Sequence, residues 1–266
     1  ETVEVVILIF KNWLRDLAGA WVFYTILPKW PIIKPRFKRI ARFSSYIGVL
    51  IGFLQSIVWL LLKYFNWPNI SIALISIAIS ILITGGLHFD GLMDTADGIS
   101  AGPSKRIKAM KDSRVGAMGV QSLVIILIFQ IAAIIKLDFY APFAFPIAAF
   151  WGRVSQLFAI ENYEYIFKRE SPSFHHKYWE GLSKELKPSL IIFFTGIIVF
   201  LFLSNFNISN TLLLIYCILS GLITSILIPD LINKFLGGQC GDGYGAGLVT
   251  TETTNLLLLS FILVPN

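Results

Sequence analysis

Residues 115–135 read VGAMGVQSLVIILIFQIAAII, a run of 21 residues without a charged side chain. A helix needs about 20 mostly apolar residues to cross the hydrocarbon core of a bilayer. The length and composition of this stretch therefore predict a membrane-spanning helix. They place the chain in the all-α class of integral membrane proteins.

Four other stretches are also free of charge and of similar length, namely 43–62, 67–87, 188–206 and 211–229. A sixth, 139–160, is interrupted by Arg153 and two prolines, and the ten apolar residues 255–264 span only if the weaker stretch from Gly245 joins them. Charged residues interrupt 5–27, which predicts an N-terminal amphipathic or half-buried helix. We expect about six to seven transmembrane helices in one domain over residues 1–266.

The whole composition agrees with this class of protein. Hydrophobic side chains make up 56% of the chain, charged ones 14%, and the mean hydropathy is +0.73. A soluble protein has about 45–50% apolar and about 25% charged residues. The two cysteines support neither a disulfide framework nor a zinc site.

The basic residues that give the chain its net charge of +6 lie mostly in the connections between spans. Seventeen Lys or Arg lie in alternate connections, which are 28–42, 88–114, 161–187 and 230–254. Two lie in the remaining ones, which are 63–66, 136–138 and 207–210. Basic residues collect on the cytoplasmic side of a membrane protein. The charge thus predicts a multi-pass protein of the cell (inner) membrane with cytoplasmic long loops, surrounded by lipid, and not a nucleic-acid partner.

The most informative polar stretch is TGGLHFDGLMDTADG at 84–98. Asp90, Asp94 and Asp97 stand at i, i+4 and i+7, within about 60° of one helix face. Clustered carboxylates require a cation or a proton, and oxygen ligands with open positions for phosphates suit Mg²⁺. The alternatives are a solvated helix terminus and an ion-coupled transporter, in which intramembrane carboxylates bind ions.

Three further places carry candidate site residues. Asp112, Ser113 and Arg114 lie together before the span at 115–135, where an aspartate completes a metal shell and an arginine holds a phosphate. Arg153 lies within an apolar stretch and is either functional or reaches the interface. The stretch LGGQCGDGYGAG at 236–247 places Gly241 and Asp242 among glycines, as packing or as a loop that wraps a phosphate.

These blocks together resemble the cobalamin synthase family, the membrane-bound adenosylcobinamide-GDP ribazoletransferases. The resemblance rests on GGLHFDGLMDTADG at 85–98, MKDSRVGAMGV at 110–120, GR at 152–153 and GGQCGDGYGA at 237–246. The blocks cover nearly the whole chain. The resemblance implies a transferase of the final steps of cobalamin synthesis that joins adenosylcobinamide-GDP to α-ribazole, or its 5′-phosphate, and releases GMP with Mg²⁺.

The resemblance also implies roles for the candidate residues. Metal ligands would be Asp90, Asp94, Asp97 and Asp112, and the phosphate or substrate ligands would be Ser113, Arg114, Arg153, Gly241 and Asp242. The general base would be Asp94 or Asp97, with His88 as an alternative.

The three-aspartate face is also similar to that of the CDP-alcohol phosphotransferases, which act on lipid head groups. The full signature of that family, with an Ala-Arg after its first Asp-Gly and longer spacing between aspartates, is absent from 84–98. A transporter should carry paired polar sites near the bilayer midplane, whereas the polar groups here concentrate at one face. Assembly as a homo-oligomer is left open by the sequence.

Overall fold

The computed structural model describes residues 2–167, 174–203 and 208–264. Eleven α-helices lie in these ranges: α1 Thr2–Tyr24, α2 Ser44–Tyr64, α3 Asn69–Thr84, α4 Leu87–Ser100, α5 Arg106–Met110, α6 Ala117–Leu137, α7 Ala141–Asn162, α8 Leu182–Glu185, α9 Lys187–Leu203, α10 Ile208–Leu236 and α11 Gly241–Leu263. Short 3-10 helices lie at Ile40–Phe43, Asp138–Tyr140 and His176–Tyr178. No strand occurs in the described ranges, where the only β-type pairing is an isolated bridge between Tyr165 and Gln239. The predicted all-α class is confirmed.

Three predicted spans match helices to within two residues at each end, namely 43–62 with α2, 115–135 with α6 and 139–160 with α7. Two others differ. Helix α3 ends before the predicted limit of 67–87, because a bend follows Thr84, and α10 extends seven residues beyond the predicted end at Pro229, because this proline lies inside the helix.

Among the described residues, four helical stretches are long and apolar enough to cross a membrane, or five if the bent pair of α3 and α4 is one span. The prediction of six to seven is therefore higher than this count. One of the four stretches, Ala117–Asn162, contains both α6 and α7. Its 46 residues would form a straight helix of about 69 Å, more than twice the thickness of a bilayer core. Helix α9 has only 17 residues. The end of the predicted span 188–206 and the first residue of the next connection lie outside the described residues, at 204–207.

Helix α7 lies at the centre of the bundle and packs against α2, α10 and α11. Glycines allow the helices to approach closely. A Cβ at Gly52 of α2 would lie 2.5 Å from the Cα of Pro146, and one at Gly152 would lie 2.5 Å from Glu252 Cγ of α11. Small residues at helix contacts are typical of membrane proteins, where close van der Waals packing holds the helices together.

Pro146 lies inside α7 without breaking it. Proline lacks the N–H that would bond to the carbonyl four residues earlier, so the carbonyl of Pro142 loses its helical partner. The hydroxyl of Ser56 in α2 lies 2.6 Å from that oxygen and 2.8 Å from the carbonyl of Gly52. A neighbouring helix therefore satisfies the freed carbonyl, as membrane helices require.

The two ends of the bundle differ in their polar groups. At one end, Lys63 donates to Asp138 over 2.7 Å and joins the connection after α2 to the one after α6. At the other end, Asp16 of α1 is 1% exposed and accepts bonds of 2.6 and 2.7 Å from Arg36. The second half of α1 packs against Phe43 and Ile47, whereas residues 6–10 are about 60% exposed. The interpretation of α1 as a half-buried helix agrees with this arrangement.

Candidate active site

The acidic helix α4 follows a sharp bend after α3. Gly85 and Gly86 have φ values of 61° and 75°, in the left-handed region that glycine adopts without strain. The bend turns α4 by 90° from the axis of α3. Asp90, Asp94 and Asp97 lie in this one helix, as the spacing predicts, but the helix does not continue the direction of the preceding span.

Helix α11 packs directly against α4. A Cβ at Gly91 would lie 2.8 Å from the carbonyl oxygen of Asp242, and one at Gly245 would lie 3.3 Å from the backbone of His88. The absence of side chains at these glycines lets the two backbones meet. Asp242 is thereby brought beside the aspartates of α4, although about 150 residues separate them in the sequence.

Among the described residues, the charges that act on Asp94 all have the same sign. Asp242, Asp90 and Asp97 act on Asp94 by repulsion, and Asp90 acts likewise on Asp242. We call Asp90, Asp94 and Asp242 the acidic face. A neighbouring like charge disfavours the charged form of a carboxyl group, so a bound cation or a proton would stabilise this cluster.

The turn before Asp242 is held by the rest of the fold. Arg106 of α5 donates to the carbonyls of Phe235 and Leu236 at the end of α10, over 2.7 and 2.6 Å. Gln239 exchanges backbone bonds with the segment after α7, at Glu164 and Ile166. Helix α11 then begins at Gly241. The stretch 236–247 is thus a tight turn followed by helix from Gly241, so it is not a loop in its second half. Its predicted contact with a phosphate stays a prediction. The assignment of Gly241 as a phosphate ligand stays a prediction.

Asp97 has a defined structural partner. Its two carboxylate oxygens accept the backbone N–H groups of Gly116, over 2.7 Å, and Gly119, over 2.8 Å, at the start of α6. A carboxylate at a helix N-terminus satisfies free donors and interacts favourably with the helix dipole. Asp97 therefore joins α4 to α6, and its role as base or metal ligand stays a prediction.

Asp112 and Arg114 face each other outside the bundle. Arg114 donates to both carboxylate oxygens of Asp112, over 3.0 and 2.7 Å, and also donates its backbone N–H. These bonds lower the pKa of Asp112 to about 2. Arg114 is 87% exposed and Ser113 is also exposed. The structure does not place Asp112 against the acidic face, and its predicted role as a metal ligand remains untested.

Arg153 lies inside the bundle. Its guanidinium is about 4% exposed and forms an ion pair with Glu252 of α11. Leu157 and Ile160, later in α7, pack with Tyr244 near the start of α11, so the two helices are antiparallel and this pair lies deeper than Asp242. Sequence reasoning did not assign Glu252. The signal was present, because Glu252 and Asp242 are the only charged residues of α11.

His88 is also buried, at 6% exposure. Its ring centroid lies 6.3 Å from that of Tyr24, whose hydroxyl accepts a bond of 3.2 Å from Gln156. The ring therefore packs between α1 and α7. The alternative assignment of His88 as the general base stays a prediction.

The donor set of the acidic face suits a hard divalent cation, since all three side chains offer carboxylate oxygen. Within the described ranges, however, no three His, Cys, Asp or Glu side chains are already grouped closely enough to hold a metal ion. Side-chain rotations would be required to bring these oxygens together around a cation.

Comparison with known proteins identifies the family. The family model for cobalamin-5-phosphate synthase matches residues 16–260. The chain belongs to this family. No solved structure shows significant similarity to it.

Curated members of the cobalamin-5-phosphate synthase family are similar over nearly the full length. A protein from Prochlorococcus marinus named adenosylcobinamide-GDP ribazoletransferase is 51% identical, over 95% of this chain and 97% of its own length. Proteins of the same name from Trichormus variabilis, at 33% identity, and Thermosynechococcus vestitus, at 32%, match over 95% and 94% of this chain and 99% and 97% of their own lengths. The family suggested by the sequence blocks is therefore confirmed.

Proposed function

We propose that this chain is an adenosylcobinamide-GDP ribazoletransferase of the final steps of cobalamin synthesis. It would join adenosylcobinamide-GDP to α-ribazole or its 5′-phosphate and release GMP. The observation that carries this proposal is the meeting of Asp90 and Asp94 with Asp242 at one end of the bundle. Family membership favours neither a CDP-alcohol phosphotransferase nor an ion-coupled transporter.

The reaction is a substitution at phosphorus. A ribose hydroxyl of the acceptor forms a new O–P bond to the phosphorus that carries cobinamide, and the P–O bond to GMP breaks. GMP leaves with the electron pair, and the hydroxyl proton passes to a carboxylate. The geometry favours Asp94 as this base, because both oxygens of Asp97 already accept backbone N–H groups and His88 is buried.

The acidic face would hold Mg²⁺ through Asp90, Asp94 and Asp242. Bound there, a divalent cation would neutralise the diphosphate and the charge that develops on departing GMP. Asp97 and Asp112 would bind the metal through carboxylate oxygens that also accept hydrogen bonds from backbone N–H groups and from Arg114. Arg114, with its exposed guanidinium, is the candidate for holding a phosphate oxygen.

The distribution of basic residues supports a location in the cell (inner) membrane with the acidic face on the cytoplasmic side. The acidic face lies at the end opposite to the Lys63–Asp138 pair, and that pair joins two of the short connections that are poor in basic residues. Both substrates would then reach the site from the cytoplasm.

The test uses the full chain purified into lipid nanodiscs. We expect GMP release and a new corrinoid product only when adenosylcobinamide-GDP, α-ribazole and Mg²⁺ are all present, with each omitted in turn as a control. Absence of corrinoid product in the complete mixture would contradict the proposal. Release of CMP from a CDP-alcohol would support the phosphotransferase instead.

A further inference from the structure

A cleft of about 620 Å³ lies beside the acidic face and has no assigned role. It opens between the end of α1 and the bend that joins α3 to α4. Apolar side chains from these elements form its walls, namely Phe23, Ile26, Leu87, Phe89 and Met93. Its volume is within the range of about 300–1,000 Å³ that is typical of small-molecule sites.

The walls offer little to a charged ligand. The hydroxyl of Thr25 already donates to the carbonyl of Trp21 over 2.7 Å, and that of Thr84 donates to the carbonyl of Ser80 over 2.9 Å. Among the described residues that line the cleft, Asp90 alone carries a charge, and that charge is negative. No cationic side chain of the described residues lines the cleft, so its walls offer a phosphate or diphosphate no partner apart from a cation held at the acidic face.

Phe23 adds an aromatic wall whose orientation is supported by neighbours. It is 40% exposed, its ring stacks on that of Phe174 with centroids 6.2 Å apart and planes 9° apart, and His175 packs edge-on at 5.8 Å. Aromatic rings held in this way bind flat apolar groups through area and through offset or edge contacts.

The two substrates of the proposed function differ in the properties that the cleft selects. Adenosylcobinamide-GDP carries a diphosphate and a corrin ring whose amide-bearing periphery is too large for this volume. Ribazole carries an uncharged two-ring aromatic base with two methyl groups. We propose that the cleft binds the base of ribazole, an inference that rests on the proposed function.

The position of the cleft agrees with this occupant. Asp90 and Met93 both line it, and Asp94 follows Met93 about one helical turn from Asp90. A base held against Leu87 and Met93 therefore directs its attached ribose toward the acidic face. The attacking ribose hydroxyl would then meet Asp94, the proposed general base, at the rim of the cleft.

The first experiment fills the cleft. Ile26 is 68% exposed and lines the opening, so Ile26→Trp adds a ring to the space that the base would occupy. Ile57→Trp is the matched control, because Ile57 is 59% exposed on α2 and does not line the cleft. We expect Ile26→Trp to raise the KM for ribazole about tenfold, equivalent to about 1.4 kcal/mol. The KM for adenosylcobinamide-GDP should be unchanged in both variants.

The second experiment reads binding without turnover. Equilibrium dialysis of ribazole and of the riboside of unmethylated benzimidazole, with no donor present, should show tighter binding of the methylated base by about tenfold, because the two methyl groups add apolar area that the cleft buries. Ile26→Trp should weaken ribazole binding and reduce this preference. If Ile26→Trp does not fold, Phe23→Leu takes its place. This variant keeps an apolar side chain but removes the stacked ring, and it should weaken ribazole binding.

The outcomes separate the two proposals. Unchanged ribazole affinity in both cleft variants, or a raised KM for adenosylcobinamide-GDP in place of ribazole, would overturn the assignment of the cleft. Absence of corrinoid product from the unaltered chain would contradict the proposed function, whereas the dialysis would still test the cleft.

Discussion

Helix α11 carries two acidic residues at two levels, and the surrounding protein differs at each. Asp242, in the first turn, lies beside Asp90 and Asp94, so negative charges face one another. Glu252, ten residues and about 15 Å further along the helix, forms an ion pair with Arg153. We call the position of Asp242 the upper level and that of Glu252 the lower level. The upper level leaves negative charge available to a ligand, whereas the charges at the lower level hold two helices together.

The difference has an energetic reason. Burying a charge is unfavourable unless an opposite charge and hydrogen bonds compensate it. At the lower level the protein supplies that partner itself, so the pair is complete within the fold. At the upper level the carboxylates lie where water and substrates have access. Under the proposed function, a divalent cation would complete this site when it binds together with the substrate.

The largest expected effect is at the acidic face. Asp94→Asn removes a charged oxygen ligand and the favoured base while keeping the size of the side chain. We expect kcat to fall about 10³-fold, equivalent to about 4 kcal/mol of transition-state stabilisation, as measured by GMP release in nanodiscs. The unfolding midpoint should not decrease.

The matched control is Asp138→Asn at the opposite end of the bundle. Asp138 pairs with Lys63 on the surface, and such a pair contributes at most about 1 kcal/mol. Its activity should equal that of the unaltered chain. Full activity of Asp94→Asn, or equal losses in both variants, would contradict the distinction between the two ends.

The next effect is on stability at the lower level. Arg153→Met leaves the Glu252 side chain, which is only 15% exposed, without its partner, and this should cost up to about 3–5 kcal/mol in the free energy of unfolding. Adding Glu252→Gln should recover part of this loss, because the unpaired charge is then removed. Unfolding midpoints in detergent measure both variants. A normal midpoint with a raised KM for adenosylcobinamide-GDP would show instead that Arg153 binds phosphate, as the family resemblance implies.

The smallest expected effect is at Asp97, whose carboxylate is held by backbone hydrogen bonds and, among the described residues, not by an ion pair. Asp97→Ala removes the acceptor for the backbone donors of Gly116 and Gly119 and should lower the free energy of unfolding by about 0.5–2 kcal/mol, the usual contribution of a helix cap. Asp97→Asn should retain part of this contribution to the free energy of unfolding. Activity should fall less than in Asp94→Asn. A loss as large as that of Asp94→Asn, with a normal unfolding midpoint, would assign Asp97 to the chemistry.

Much of the helical framework could be predicted because a bilayer imposes a local requirement. Each spanning helix must carry its own apolar length, so α2, α6 and α7 are visible as runs of residues. The positions of their ends follow within two residues. Pro146 did not prevent this, because its freed carbonyl finds a partner in Ser56 of another helix.

The predictions that differ from the structure depend on contacts between distant segments. The glycines at 241–247 resemble a loop by composition, yet they lie in a helix, and one of them, Gly245, packs against α4. The spacing of Asp90, Asp94 and Asp97 shows a shared face but not that Asp97 caps α6.

The sequence by itself determined the all-helical membrane class, the alternation of basic connections and the acidic spacing in one helix. These are properties of neighbouring residues and follow from helix geometry and the cost of charge in lipid. Only the tertiary structure decided which acidic residues of the described ranges form an ion pair. Asp242 joins Asp90 and Asp94, while Glu252 is neutralised by Arg153, because close packing at glycines sets which helices meet and at what depth.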